Sequence, residues 1–63
     1  MKAFRIDFAG KVSGKKWSSY AVGESEEQVK NEAVGNFDRF NVLLGVKDIS
    51  NTKKGKELIL HNA

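Results

Sequence analysis

The residues able to do chemistry are few. There is no Cys, so neither a thiolate nucleophile nor a thiolate metal site is available, and His61 is the sole histidine. It lies in a segment expected to fray and reads as a solvated strand residue. Glu24, Glu26 and Glu27 could form an acid pair or a cation site, but no other ligand converges on them. Favourable placement at the start of a helix accounts for them better. Gly10 and Gly14 flank a hairpin turn, not a strand-to-helix turn, and no Gly-Lys-Ser/Thr string follows. No phosphate loop, catalytic residue, metal site or cofactor is expected, and the chain reads as a non-enzyme.

Two binding chemistries remain. Trp17 and Tyr20 interleave with Arg5, Lys11, Lys15 and Lys16, and aromatics among basic residues can stack and track a single nucleic-acid strand. The residues for that alternative are Lys11, Lys15, Lys16 and Trp17. Lysines at a hairpin tip also solubilise it and block edge pairing. The other chemistry is protein binding, at an uncovered sheet face or an edge strand, with Trp17, Arg5, Ser19 and Ile59 as candidates. Such a surface also admits a homodimer.

These residues must be positioned by a small scaffold. With 63 residues, 40% hydrophobic and 30% charged, the chain is one globular domain at most. A chain this short buries a small share of its surface and needs tight packing or oligomerisation. No apolar run approaches the ~20 residues of a membrane span. The N-terminus lacks a signal-peptide layout, so a cytoplasmic setting is expected. The net charge of +3 is segregated: residues 1–23 carry +4, residues 24–38 carry −4 and residues 39–63 carry +3. The helix is acidic and its flanks are basic.

The organising element is a helix over Ser25 to Phe40. Ser25 is a natural N-cap, Gln28 completes a capping box, and Glu26 and Glu27 suit the positive end of the dipole. Val29, Ala33, Phe37 and Phe40 share one face, with Phe37 the expected centre of the core and Val34 at its edge. Gly35 falls on the solvent side, Arg39 in the last turn, and Asn41 fits a left-handed C-cap.

Lys2 to Val12 alternates with period two, setting Phe4, Ile6 and Phe8 against Arg5 and Asp7; Gly10 suggests a bulge or bend. A turn at Val12-Ser13-Gly14 leads to a second strand, Lys15 to Gly23. A two-residue turn pairs Phe8 with Ser19 and puts Trp17 on the core face. A three-residue loop with Gly14 left-handed pairs Ile6 with Tyr20 and Phe4 with Val22. The second register buries more apolar area and is favoured, with Trp17 outside beside Ala9. Val42 to Thr52 reads as a third strand, with a bulge near Lys47-Asp48 returning Ile49 to the core. A turn over Thr52 to Lys56, with Gly55 at positive φ, leads to a fourth strand, Glu57 to His61.

The expected fold is thus α+β, strand-strand-helix-strand-strand. One helix packs on one face of a mainly antiparallel sheet of three to four strands, in spatial order 2-1-3-4. The open face carries Trp17 and admits Leu43 and Ile59, an apolar patch of the kind that marks an interface. The run Tyr20-Ala21-Val22-Gly23-Glu24-Ser25-Glu26-Glu27 resembles the strand-to-acidic-helix joint of small phage-encoded β-β-α-β accessory and inhibitor proteins. The resemblance is architectural, covers most of the chain and carries over no functional residue. It implies a module that inhibits a host factor, in the host cytoplasm, by adding a strand or masking a surface.

Overall fold

A computed structural model describes residues 1–37 and 40–62, with the side chains of 34–37 left aside. The expected roles of Val34, Gly35, Phe37 and Arg39 fall outside the described residues and side chains. The elements are β1 (Lys2–Gly10), β2 (Lys16–Gly23), α1 (Glu26–Phe37), β3 (Asn41–Asp48) and α2 (Lys53–His61). They form an α+β fold in which a three-stranded sheet of order β2-β1-β3 has β1 antiparallel to both neighbours.

The alternation of β1 does what it should. Phe4, Ile6 and Phe8 are buried together with Val29 and Ala33 of α1, and Ala21, Leu43 and Val46 pack against them. The start of α1 is capped as its sequence requires. Gln28 N–H donates to Ser25 Oγ at 3.2 Å, and Gln28 Oε1 accepts from Glu24 N–H at 2.9 Å. The return contact therefore goes one residue further back than a standard capping box. Phe40 is not on the core face: it is 69% exposed. Asn41 is no left-handed cap either, because it opens β3 and no described residue other than glycine has positive φ.

The first hairpin takes neither expected register. Gly10 N–H donates to Lys15 O at 3.0 Å and Gly14 N–H to Gly10 O at 2.9 Å, which closes a loop over residues 11–14. Gly14 supplies the left-handed residue, at φ 70°. Phe8 then pairs with Trp17, Ile6 with Ser19 and Phe4 with Ala21. The longer loop shifts the ladder and moves Trp17 to the α1 side, where its ring stacks on Phe8 at 4.4 Å. Tyr20 goes to the opposite face, beside Arg5, and is 46% exposed. The bulge is also displaced. It lies at Leu44, where Asp7 pairs with Gly45 and Phe8 with Leu43, not at Lys47-Asp48.

The expected fourth strand is the helix α2, so the sheet has no fourth member among the described residues. Asp48 Oδ1 accepts from Ser50 N–H at 2.9 Å and from Ser50 Oγ at 2.6 Å, turning the chain after β3. Thr52 then caps α2, its Oγ1 accepting from Gly55 N–H at 3.0 Å. Gly55 is needed for space, not for positive φ: a Cβ there would overlap the Ile49 carbonyl oxygen. That close approach lets α2 pack against β1 and β2, on the face carrying Ala3, Tyr20 and Val22. Ala3 and Ile49 are buried on this side. The second face is therefore partly covered.

Candidate strand-accepting edge

The sheet has two outer edges, β2 and β3. On β2, the bond from Gly10 to Lys15 fixes which residues turn their main-chain groups toward β1. These are the odd-numbered ones, Trp17, Ser19 and Ala21. Lys16, Ser18, Tyr20 and Val22 turn theirs outward, at an even spacing of two residues. No residue from Trp17 to Val22 is charged, none is Pro, and the pairing of β2 with β1 has no bulge.

On β3 the outward positions are Asn41, Leu43, Val46 and Asp48, set by their partners on β1. The bulge at Leu44 opens the spacing to three residues in the middle of the strand. Leu44 itself is 52% exposed, and Lys47 and Asp48 add charge near the end. An irregular, charged edge is a poor template for another strand.

Side chains above the β2 edge are held in place. Trp17 Nε1 donates to Asn41 Oδ1 at 3.0 Å, so the indole lies across β1 toward the start of β3. On the other face Lys54 Nζ sits 5.2 Å from the centre of the Tyr20 ring. Ser18 Oγ donates to Asp7 Oδ1 at 2.7 Å. The same oxygen lies 3.3 Å from Arg5 Nε, whose N–H is not aimed at any described acceptor. This pair, half exposed, is held by charge rather than by a directed hydrogen bond. A shallow groove beside it is lined by Arg5, Asp7, Lys16, Ser18 and Leu44 among others.

The expected protein-binding residues do not share one surface. Trp17 and Ser19 lie on the α1 side of β2, Arg5 lies on the opposite face of β1, and Ile59 is half-buried in α2. Leu43, also expected on the open face, packs against the core instead. Lys11, Lys15 and Lys16 do come together with Trp17 at the hairpin end of the sheet, all exposed. Lys53, Lys54 and Lys56 belong to α2, which starts beyond the far end of β3. One face of the indole is already taken by Phe8.

The sequence points to Lys15 to Gly23 as an edge strand but turns the Tyr20 and Val22 side chains to the core face, so neither is expected beside a partner. A four-residue loop was the missing option. The run Lys11-Val12-Ser13-Gly14 carried that signal in its glycine, which can close loops of several lengths. Among the described residues no group of acidic or histidine side chains could hold a metal ion, and no helix is long and apolar enough to cross a membrane. Comparison with known proteins finds no matching family model, no similar curated protein and no similar solved structure.

Proposed function

We propose that this chain is a non-enzymatic accessory module that binds another protein, and that it does so by accepting a strand along the outer edge of β2. The observation that supports this most is the evenly spaced, uncharged row of outward main-chain groups at Ser18, Tyr20 and Val22. Strand addition draws its affinity from such groups and its selectivity from the side chains above and below them. Tyr20, on the face away from α1, would lie beside an incoming strand, while the Trp17 indole turns inward across β1. The resemblance to small phage-encoded proteins extends the reading to an inhibitor of a host factor, acting in the host cytoplasm.

The test is Ser18→Pro. The Ser18 N–H points away from β1, so proline there removes a donor from the edge and none from the existing ladder. Immobilised wild-type protein is expected to retain a stoichiometric protein partner from bacterial lysate, and Ser18→Pro, folded by circular dichroism, to lose it. Retention of nucleic acid alone, weakened steeply by salt and by replacing Lys11, Lys15 and Lys16, would instead support a single-strand site at the hairpin tip.

A further inference from the structure

The charge along β2 is polarised. The strand begins at Lys16, preceded by Lys15, and is followed by Glu24, with Glu26 and Glu27 in the first turn of α1. Two copies of such a strand placed antiparallel set the basic start of one against the acidic end of the other, twice. Placed parallel, they set lysine beside lysine and glutamate beside glutamate. A polarised, uncharged-in-the-middle edge is thus complementary to itself in one orientation only.

We infer that, in the chain on its own, the strand accepted by β2 is β2 of a second copy, paired antiparallel about a two-fold axis at Tyr20. This rests on the reading of β2 as a strand-accepting edge and names its occupant. A two-fold axis perpendicular to the sheet keeps both copies of α1 on the same face. With Tyr20 on the axis, Tyr20 pairs with its own copy and Ser18 pairs with Val22. All of these are outward-facing positions, so the new ladder uses groups the monomer leaves unpaired with β1. Lys16 then falls opposite Glu24. Both are exposed, and among the described residues the Glu24 carboxylate meets only the Met1 amino group, a long 3.9 Å contact that solvent screens. The main-chain ladder stops at Val22, because Glu24 N–H is already committed to Gln28. The result is a continuous six-stranded sheet of order 3-1-2-2-1-3, with only the bulged β3 edges left outside.

The experiment is sedimentation of the purified full chain over a range of concentrations, with Lys16→Glu, Glu24→Lys and an equimolar mixture of the two. The wild type is expected to dimerise. Each single reversal places like charges opposite each other at both symmetric contacts and should weaken the dimer about tenfold or more. In the mixture every contact again joins opposite charges, so a mixed dimer should form with wild-type strength. Circular dichroism of these surface variants checks that each remains folded. A wild type that stays monomeric overturns the inference, as does a dimer indifferent to both reversals. The edge reading fails separately, if the partner retained by wild-type protein is retained equally by Ser18→Pro.

Discussion

The two edges of this sheet are built from strands of equal length, eight residues each, yet they present different surfaces to solvent. Along β2 the outward main-chain groups recur every second residue, at Lys16, Ser18, Tyr20 and Val22. Along β3 the bulge at Leu44 breaks that repeat between Leu43 and Val46. A bulge is a recognised way to keep an edge from pairing, whereas charge on β2 is confined to its ends. The contrast shows one edge being closed by backbone geometry while the other is left open with polarised ends. A small domain that leaves one edge regular has somewhere to put a partner strand.

The largest effect should come from removing what supports both edges at once. Phe8 is buried toward the hairpin end of β1, pairs with Trp17 on one side and Leu43 on the other, and stacks on the indole. Phe8→Ala should cost about 3–5 kcal/mol. That approaches the whole stability of a domain this small, about 5 kcal/mol. Denaturant melts are expected to show most of the population unfolded in plain buffer. A midpoint near that of the wild type would mean that Phe8 does not hold the edges together.

Gly55→Ala should separate the edges. The added methyl meets the Ile49 carbonyl, so α2 must shift off its seat, at a cost of about 1–3 kcal/mol. Because α2 packs against β1 and β2 and makes no comparable contact with β3, amide exchange should accelerate more along β2 than along β3. Equal acceleration on both strands would show that α2 steadies the sheet as a whole.

Deleting Leu44 should have little effect on stability but should erase the difference between the edges. Without that residue Gly45 falls into the pairing frame of Leu43, and the outward groups of β3 recur every second residue. Light scattering should then show growth beyond the dimer, since both edges of each copy would be open. A species of unchanged size would place the protection of β3 elsewhere, in its Lys47 and Asp48 charges.

The smallest effect is expected at the end of β3. Hydrogen bonds from the Ser50 hydroxyl and N–H hold the Asp48 carboxyl below its usual range against the opposing effect of desolvation, with a lesser contribution from the charge of Lys2. A carboxyl with a lowered folded pKa contributes stability above its unfolded pKa, and that contribution fades as pH falls through the folded value. On acidification the turn into α2 should therefore loosen while β2 is unaffected. Carboxyl titration by NMR, with Asp48→Asn as the insensitive control, checks this. A normal titration for Asp48 would remove the turn from the pH dependence.

Much of the fold was legible in the sequence, for physical reasons that differ by element. β1 was read from strict alternation, and the start of α1 from Ser25 and Gln28. The order β2-β1-β3 followed from chain direction and a crossover helix. The register of β2 was not legible, because Gly14 permits several loop lengths and each one-residue change flips Trp17 and Tyr20. Apolar area alone favours burying Tyr20, yet the observed pairing turns Trp17 inward, stacked on Phe8. The segment read as a fourth strand misled because Leu58, Ile59 and Leu60 alternate with nothing. Lys53 and Lys54 sit at the positive end of the α2 dipole and Gly55 lowers helix propensity, which masked the cap at Thr52. Gly55 is there because Ile49 lies against it, a tertiary constraint that no local pattern expresses. Of the candidate site, Trp17 was named but on the wrong face, while the outward groups of Ser18, Tyr20 and Val22 depend wholly on the register.

The most direct measurement is residue-resolved amide hydrogen exchange on the wild-type chain at low and high concentration. If β2 is the edge that accepts a strand, the amides of Ser18, Tyr20 and Val22 should slow as concentration rises. Those of Leu43 and Val46, outward on β3, should remain fast throughout. Slowing confined to Leu43 and Val46, or fast exchange at Ser18, Tyr20 and Val22 both in concentrated samples and with a captured protein partner present, would contradict it.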